Sequence, residues 1–474
     1  MQNKIFIRVD GGEKIGLGHI MRCIAIGYML KTDFEIHFVS RQGNEATKLE
    51  IKQAGFSYSE IHSEDEFFEM LSGNEIVILD NYFFDVAYQQ AVKAKGSKLV
   101  CIDDIGDRYF VADAVINHGG GITKKDYAVA AYTLLYLGPE YRLLRKQFQE
   151  YKRIAPERNE NIFLCLGGAD PENVTLDILE QLSANFDNKN VFCVIGSANN
   201  NYEKLKNFSD GSSLKVQLLQ NLDADQMVHY MSICSTAITS ASTTAYEYLT
   251  IGGELYVIKT ADNQKKLFEY LIASSLAKEF LTNNFAGLSQ SATVNAVFDK
   301  SSALHVAKIF NLLNISQSSV VRRANVNDVE LAYKWINDPE VRNNSHSQNE
   351  IAFEDHTKWF NNVINRPSTY YYIVENENVP YGQIRFEKSG DEVVINYLIA
   401  PEFRGKGFGQ ALVQLGIEQV LKDAGSALNI IAYVKTENAA SNKIFERLPF
   451  NLQRLSEHPG SNKYYYSFLE NERN

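Results

Sequence analysis

The stretch KIFIRVDGGEKIGLGHIMRC, residues 4–23, determines the fold of the first part of the chain. It contains an apolar run typical of a buried β-strand, then a glycine-rich loop, then the start of the helical pattern HIMRCIAIGYMLK. A strand that leads through a glycine loop into a helix is typical of α/β proteins with a parallel sheet.

The same alternation continues in two series. The first series has the strand-like runs EIHFVS, EIVILD and KLVCIDD, and the second begins at NIFLCLGG and includes VFCVIGS, KVQLLQN and TAITSAS. The charged segment KRIAPERNEN separates the series. We therefore expect two α/β domains with parallel sheets, residues 1–150 and 151–317. Ligands of open parallel sheets bind at the carboxyl ends of the strands, so the two sheets are expected to form a cleft.

The amino-acid composition of the chain changes near residue 318. All six methionines and all five cysteines lie before this point, and both tryptophans lie after it. The polar run NISQSS, residues 314–319, is predicted to be a connector. The order of elements after it, with one strand, two helices, three strands, a glycine loop and a further helix, predicts an α+β domain over residues 318–474.

Composition narrows the function classes. The chain has 474 residues, 45% of them hydrophobic and 22% charged, and a formal net charge of −11. These values argue against disorder, and they give no general attraction to nucleic acid or to anionic membranes. The five cysteines show no C-x-x-C spacing, and no signal peptide or membrane-length apolar run is apparent, so we expect a cytoplasmic protein without a metal site.

His19 is the first candidate catalytic residue. It follows the loop glycines Gly16 and Gly18 at the start of a predicted helix, where the positive end of the helix dipole disfavours a charged imidazolium. A neutral imidazole can serve as a general base. The alternative is that His19 only caps or packs against the helix.

Acidic residues at two further strand ends are candidates for the same cleft. Asp80, followed by Asn81 and Tyr82, ends EIVILD, and Asp103 ends KLVCIDD. Such carboxylates orient water or a sugar hydroxyl, or else they cap the next helix. Both interpretations stay open at this point.

Two turns in the second series suit an anion. Gly167, Gly168 and Ala169 follow the first strand, and the hydroxyl-rich Ser242, Thr243 and Thr244 follow TAITSA. Backbone N–H groups at such turns bind phosphates. Glu247, one turn into the next helix, is placed to accept ribose hydroxyls; alternatively, the Ser and Thr residues are helix caps and Glu247 is a surface residue.

Together these motifs, with YLGPEYRLLRKQF and ADNQ at residues 261–264, resemble the PseG family of UDP-sugar hydrolases of pseudaminic acid biosynthesis. The resemblance covers about residues 1–315 and implies an α/β fold with a GT-B-like pair of facing Rossmann-type domains. It implies hydrolysis of UDP-2,4-diacetamido-2,4,6-trideoxy-β-L-altropyranose with inversion at C1, with His19 as the catalytic histidine and Asp80 or Asp103 fixing the geometry. The amides of the second domain would stabilise the departing UDP, without a metal or a general acid. The implied substrate- or UDP-binding residues are Arg8, Asp10, Gly16, Gly18, Asn81, Tyr82, Gly167, Gly168, Ala169, Ser242, Thr243, Thr244, Glu247 and Asn263.

The last domain carries the run PEFRGKGFGQA, residues 401–411, between a strand and an apolar helix. Its R-x-x-G-x-G spacing places backbone donors around a pyrophosphate. It resembles the acetyl-CoA loop of GNAT acetyltransferases, in the branch that acetylates amino groups. The predicted acetyl-CoA-binding residues are Leu398, Ile399, Arg404, Gly405, Lys406, Gly407, Phe408, Gly409 and Asn438.

Phe445 departs from the GNAT pattern, because many members have a tyrosine general acid there. Tyr433 and Tyr464–Tyr466 are possible substitutes, although packing is an alternative role for each. For the base, Glu354, His356 and Glu387 are not distinguishable by sequence. No acid or base is therefore assigned.

The fusion indicates two consecutive reactions on one UDP-linked amino sugar. The second half would act as the PseH family does, acetylating the 4-amino group of UDP-4-amino-4,6-dideoxy-N-acetyl-β-L-altrosamine with acetyl-CoA. Two alternatives stay open: a GT-B glycosyltransferase fused to an acetyltransferase, and a nucleotide-sugar-binding module that regulates a protein N-acetyltransferase. The oligomeric state does not follow from the sequence.

Overall fold

The computed structural model describes residues 3–11, 18–41, 45–152, 159–167, 170–196, 199–280, 298, 301–344, 348–454 and 460–467. The chain divides into two compact units. The first comprises residues 1–108, 115–127 and 135–307, and the second comprises residues 109–114, 128–134 and 308–474. Three predicted site residues, Gly16, Gly168 and Ala169, lie outside the described residues.

The first sheet has seven strands in the order β3-β2-β1-β4-β5-β7-β9. All register pairs from β3 to β5 are parallel, as the alternating pattern predicted. The strands are β1 (Asn3–Val9), β2 (Phe34–Ser40), β3 (Ser57–Glu60), β4 (Ile76–Asp80), β5 (Lys98–Ile102), β7 (Ala114–Asn117) and β9 (Leu134–Leu137), with β6 (Tyr109–Phe110) and β8 (Ala128–Val129) as a separate pair. The helices in this part of the chain are α1 (Gly18–Leu30), α2 (Glu45–Gln53), α3 (Glu64–Glu69), α4 (Val86–Ala94) and α5 (Lys146–Glu150).

The central strands of this sheet are largely buried. Every residue of β4 is buried, including Asp80 at its end. Strands of a parallel sheet with helices on both faces have no solvent side, so a continuous apolar run is the expected sequence. A carboxylate at the end of such a run is therefore held in a dry environment.

The second sheet repeats the arrangement. Its order is β12-β11-β10-β13-β14-β15 and all its pairs are parallel. The strands are β10 (Asn159–Cys165), β11 (Asn190–Ile195), β12 (Lys215–Gln220), β13 (Cys234–Ser240), β14 (Glu254–Ile258) and β15 (Lys278–Glu279). The helices are α6 (Val174–Asn185), α7 (Tyr202–Gly211), α8 (Ala224–Ser232), α9 (Thr243–Ile251) and α10 (Lys265–Ala273). Two Rossmann-type sheets thus lie in the first compact unit, as a GT-B-like fold requires.

The third sheet is mixed, with the order β16-β17-β18-β19-β20-β22-β21. Its pairs are antiparallel except for β19 with β20. The strands are β16 (Ser319–Arg323), β17 (Thr369–Asn376), β18 (Val379–Ser389), β19 (Glu392–Ile399), β20 (Asn429–Lys435), β21 (Asn451–Arg454) and β22 (Ser461–Ser467). The helices are α11 (Ser302–Ser318), α12 (Val329–Ile336), α13 (Pro339–Asn344), α14 (Phe353–Ile364), α15 (Phe408–Ala424) and α16 (Ala439–Arg447). This is the predicted α+β GNAT arrangement.

The run NISQSS was wrongly expected to be a connector. Residues 314–318 form the last turn of α11, where Ile315 and Ser316 are buried. The helix ends because the hydroxyls of Ser318 and Ser319 donate to the carbonyls of Asn314 and Ile315, at 2.8 and 2.6 Å. Serine hydroxyls that bond back to the preceding turn are a local signal that composition alone hides. The boundaries at 150/151 and 317/318 stay predictions.

Candidate functional sites

The strand order of the first sheet brings His19 and Asp80 together. Strand β1 lies between β2 and β4, so successive connections leave in opposite directions at its carboxyl end. Ligands of open α/β sheets bind at this switch point. His19 lies at the start of α1, just after β1, and Asp80 ends β4.

His19 and Asp80 are in direct contact. The Nδ1 atom of His19 lies 2.7 Å from Oδ1 of Asp80. Arg22 donates to both oxygens of the same carboxylate, from Nε at 2.6 Å and from Nη2 at 2.5 Å. Although burial opposes its ionisation, the charge of Arg22 holds the pKa of Asp80 well below its usual range.

The proton on His19 can be assigned from these contacts. Nη2 of Arg22 also lies 2.8 Å from Nδ1, so this ring nitrogen lies between a cationic donor and an anionic acceptor, and the same Nη2 atom donates to Oδ1 of Asp80. An ionised carboxylate is a stronger acceptor than an imidazole nitrogen, so we assign the hydrogen to Nδ1, donated to Asp80. The Nε2 atom then carries the lone pair that a general base needs.

Arg22 was missed by the sequence analysis. Its Nη1 atom donates to Oδ2 of Asp104 at 2.9 Å, and the hydroxyl of Tyr82 donates to the same oxygen at 3.1 Å. The ring of Tyr82 meets the imidazole of His19 edge-on, with centroids 5.0 Å apart. The available signal was spacing, since residues three apart share one face of a helix.

Several polar atoms at this edge have no hydrogen-bond partner in the described structure. They are Nδ2 of Asn81, Oδ1 of Asp104 and Nδ1 of His118, and all three are buried. Burial, followed by the charge of Arg22, lowers the pKa of His118 to about 4. Buried polar groups in native proteins normally have partners, so this edge is suited to a polar ligand.

Asp103 is engaged elsewhere. Its Oδ2 atom accepts from the amides of Ile105 and Gly106, at 3.1 and 2.7 Å, and from the hydroxyl of Tyr127 at 2.7 Å. Burial raises its pKa. Of the two predicted carboxylates, Asp80 is the one that the structure pairs with His19, and a catalytic role for Asp103 stays a prediction.

Arg8 and Asp10 form a buried ion network. The guanidinium of Arg8 donates to both oxygens of Asp10, at 2.7 and 2.9 Å, and to Glu64. Asp10 also accepts from the hydroxyl of Ser40 and the amide of Arg41. These contacts fix the end of β1 beside β2, and direct contact of either residue with a nucleotide stays a prediction.

The two predicted anion turns of the second sheet differ. After Gly167, whose φ of +104° favours glycine, the carboxylate of Asp170 accepts from the amides of Val174 and Thr175, both at 2.9 Å. The first amides of α6 are therefore already bound by a carboxylate. A phosphate bound at this turn would therefore be held by amides of the loop and not by the first amides of α6.

The amides at the start of α9, in contrast to those of α6, are not bound by a capping side chain. Ser242 is its N-cap residue and makes no side-chain capping bond, and Thr243 and Thr244 lie partly buried in the first turn. Because β10 and β13 are neighbours, this turn lies at the switch point of the second sheet. The amides of an uncapped helix end suit a phosphate.

Glu247 is buried on α9, which excludes the surface interpretation. Its two carboxylate oxygens accept from Nε and Nη2 of Arg145, at 2.6 and 2.7 Å. Asn263 is exposed on the short helix 262–264 after β14. The sequence analysis did not single out Arg145, which lies 102 positions from Glu247.

Contacts between the two halves of the first unit bring these edges towards each other. His118, at the end of β7, has its ring 6.2 Å from that of Tyr246 on α9. Lys266 on α10 donates to Asp126 at 2.7 Å. A Cβ on Gly120 would lie 1.9 Å from a ring carbon of Tyr270, so only glycine allows this approach. The carboxyl edge of the first sheet thus faces α9 and α10.

The second site is a cavity of about 720 Å³ between diverging strands of the GNAT domain. Strands β19 and β20 pair only as far as Val394 and Ile431, although both continue beyond these residues. The unpaired parts, with the loop before α15 and with α16, form the wall. Seven of the nine predicted acetyl-CoA residues line it: Leu398, Ile399, Arg404, Gly405, Gly407, Gly409 and Asn438.

The glycine loop is shaped by two left-handed residues. Gly405 and Gly407 have φ angles of +72° and +91°. Gly407 is also the N-cap of α15, a 17-residue helix whose positive dipole end faces the loop. Backbone amides in this conformation converge on an anion such as a pyrophosphate.

Three loop side chains are occupied within the protein. Arg404 forms ion pairs with Asp338 and Glu340, both at 2.7 Å. The Nζ atom of Lys406 donates to the carbonyl of Glu402. Phe408 packs against Tyr381 and Phe403. Lys406 and Phe408 are the two predicted residues not among those that line the cavity.

The residues that line the cavity do not include the three candidates for the base that the sequence left open. Glu354, His356 and Glu387 are not among the lining residues, whereas Gln383 and Arg385 are. The Oε1 atom of Gln383 is buried and has no partner in the described structure. Trp335 is buried in the core, and the guanidinium of Arg385 lies 4.9 Å from the ring centroid of Trp359.

Comparison with known proteins supports the division into two functional parts. Residues 320–451 match the acetyltransferase (GNAT) domain family. The chain is 24% identical, over 58% of its length and 99% of the relative, to the UDP-2,4-diacetamido-2,4,6-trideoxy-β-L-altropyranose hydrolase of Campylobacter jejuni. It is 26% identical, over 54% of its length and 78% of the relative, to the spore coat polysaccharide biosynthesis protein SpsG of Bacillus subtilis.

One relative matches both parts. An uncharacterised protein of Methanocaldococcus jannaschii is 25% identical over 94% of this chain and 96% of its own length. The chain thus joins a region homologous to a UDP-sugar hydrolase to a GNAT acetyltransferase domain. The predicted fusion of two enzymes is confirmed at this level.

Two searches of the described residues complete the site survey. Within them, no helix is both long and apolar enough to span a membrane. Nor does any group of three or more His, Cys, Asp and Glu side chains in this part of the chain form a potential metal site.

Proposed function

We propose that the chain is a bifunctional enzyme of a nucleotide-sugar pathway. Its GNAT domain transfers acetyl from acetyl-CoA to the 4-amino group of UDP-4-amino-4,6-dideoxy-N-acetyl-β-L-altrosamine. Its first unit then hydrolyses the product to UDP and 2,4-diacetamido-2,4,6-trideoxy-L-altrose. The observation that carries the hydrolase assignment is the His19–Asp80 pair at the switch point of a sheet whose edge faces the α9 turn.

The hydrolytic step follows from the geometry of that pair. Nε2 of His19 takes a proton from water as the water oxygen attacks C1 of the sugar, and the C1–O bond to UDP breaks. Asp80 holds Nδ1–H and stabilises the imidazolium that forms, while Arg22 keeps Asp80 ionised. Attack from the face opposite the departing UDP inverts C1.

The leaving group is held by the second half. The uncapped amides at the start of α9 supply hydrogen bonds to the diphosphate, and Glu247, oriented by Arg145, accepts a ribose hydroxyl. UDP leaves as a stabilised anion, so the mechanism requires no protonation of the leaving oxygen. The unpartnered atoms of Asn81, Asp104 and His118 are available to the sugar and its acetamido groups.

In acetyl transfer, the cavity between β19 and β20 holds the pantetheine arm and the loop around Gly407 holds the pyrophosphate. The acceptor amine, in its neutral form, attacks the thioester carbonyl. Gln383 lies in the wall with an acceptor oxygen that can orient an amine N–H.

The test is mass spectrometry of the purified protein with the UDP-linked 4-amino sugar, with and without acetyl-CoA. We expect UDP and free diacetamido sugar only when acetyl-CoA is present. An acetylated UDP-sugar that persists would contradict the hydrolase assignment. Transfer of the sugar to another acceptor would favour a glycosyltransferase, and acetylation of a peptide without UDP release would favour the regulatory-module alternative.

A further inference from the structure

Acetyl transfer leaves a coenzyme A thiolate that needs a proton, and Phe445 has no proton to give. Phe445 lines the cavity on α16, and its ring packs against Phe450 and Tyr464. The proton must therefore come from another group in the wall or from water.

One pair of hydroxyls in the wall meets this need. The hydroxyl of Tyr397 on β19 donates to Oγ of Ser441 on α16 at 2.8 Å, and both residues line the cavity. Tyr397 lies in the part of β19 that has separated from β20, and its ring centroid is 6.0 Å from that of Phe445. The pair thus joins the separated part of β19 to α16.

The direction of this hydrogen bond fixes the order of proton movement. Because Tyr397 donates its hydrogen to Ser441, the Ser441 hydroxyl keeps a hydrogen of its own that it can donate to a group in the cavity. The helix position of Ser441 is also fixed, since its amide donates to Oδ1 of Asn438 at 3.0 Å.

We propose that Ser441 and Tyr397 form a proton relay to the departing sulfur, an inference that rests on the proposed acetyltransferase activity. When the C–S bond of the tetrahedral intermediate breaks, the sulfur takes the Ser441 proton and forms an S–H bond. Ser441 takes the proton of Tyr397 in the same step. Solvent returns a proton to Tyr397, and this balances the proton that the attacking amine releases to solvent.

Tyr397 carries its proton at neutral pH. Burial raises its pKa to about 12, so the phenol is protonated throughout the neutral range. Tyr433 also lines the cavity, but it is 41% exposed and lies beside Lys463. The Tyr397–Ser441 pair is the more enclosed hydroxyl donor in the wall.

The test compares Tyr397→Phe, Ser441→Ala and the double variant in the full chain. General acid catalysis contributes about 10²–10⁴-fold, so each single variant should lower kcat for acetylation within this range while KM for acetyl-CoA stays unchanged. Because the two groups act in one relay, the double variant should lose little more than either single variant. Multiplicative losses, or a change in KM alone, would overturn the relay.

Tyr464→Phe is the matched control. It also removes a buried hydroxyl that bonds to α16, here to Oδ1 of Asn442 at 2.9 Å, and neither Tyr464 nor Asn442 is a lining residue. We expect unchanged kcat. An equal loss in this variant would show that the relay variants act only by loosening α16.

A second measurement does not depend on the acceptor sugar. Coenzyme A is bound to each variant, and the ultraviolet absorbance of its thiolate is followed as the pH is raised. A hydroxyl that donates to sulfur stabilises the thiolate, so the bound thiol should ionise at higher pH in Tyr397→Phe and Ser441→Ala than in the wild type. Identical titrations would overturn the relay, whereas failure of the wild type to acetylate the amino sugar, with the expected titrations, would contradict only the proposed substrate.

Discussion

The Nδ1 atom of His19 lies 2.7 Å from Oδ1 of Asp80, although 61 positions separate the two residues. The contact exists because β1 and β4 are neighbours in the sheet, so the start of α1, which follows β1, meets the residue that ends β4. Arg22 completes the group from the next turn of α1.

We expect His19→Gln to lower UDP release by about 10²–10⁴-fold, because it removes the general base and leaves water unactivated. Acetylation by the same protein should be unchanged, which controls for the amount of intact protein, and thermal unfolding of the variant checks the fold of the first unit. Coupled assays of free UDP and free coenzyme A measure both activities. Near-normal UDP release would contradict the role of His19.

We expect Gly407→Ala to raise KM for acetyl-CoA about tenfold or more. A left-handed backbone costs an alanine about 1–2 kcal/mol, and relaxation of this strain would turn the loop amides away from the pyrophosphate. Gly425→Ala is the matched control, since Gly425 has φ +64° at the opposite end of the same helix. This control should lose comparable stability and keep its KM, and an equal rise in KM would contradict the loop assignment.

We expect the first unit to lose stability when only one partner of the Arg145–Glu247 pair is removed. Arg145→Met leaves a buried carboxylate unpaired, which costs about 3–5 kcal/mol. The double variant Arg145→Met, Glu247→Met should regain much of this stability, as judged by thermal unfolding, but not affinity for UDP in a titration. Recovery of UDP affinity by the double variant would show that Glu247 does not bind the ribose.

We expect His118 to make the stability of the protein depend on pH. Its pKa of about 4 in the folded state lies below the usual value near 6.5, so the unfolded state binds more protons between these values. The stabilisation is present above pH 6.5 and is lost as the pH falls towards 4, by about 2 kcal/mol between pH 7 and pH 5.

His118→Gln tests this dependence. The variant should show a smaller fall in free energy of unfolding between pH 7 and pH 5 than the wild type, in denaturant titrations at each pH. Parallel pH profiles for the two proteins would contradict the assignment of this dependence to His118.

Much of the fold followed from local pattern. Apolar runs that end in glycine loops predicted both parallel sheets, and the spacing of Arg404, Gly405 and Gly407 predicted the turn before α15. These features depend on residues close in sequence, where strand and helix periods and left-handed glycines act directly. Residues 314–318 were expected to be a connector because the run is polar. Serine also occurs at helix ends, where its hydroxyl donates to a carbonyl of the preceding turn.

The partners of the charged residues did not follow from local pattern. Asp80 and Asp103 looked alike as strand ends, and only the neighbours of each strand decided that one meets His19 and the other Tyr127. In the same way, the sequence analysis did not single out Tyr397, and the divergence of β19 from β20 places its hydroxyl beside Ser441 in the cavity wall.

The sequence by itself therefore determined the kinds of domain, the positions of the turns and the candidate residues, because each depends on interactions within about ten residues. Tertiary structure decided which candidates act together, because strand order and the approach of distant helices set distances between side chains far apart in the chain. The fold topology sets two such contacts, that of His19 with Asp80 and that of Arg145 with Glu247.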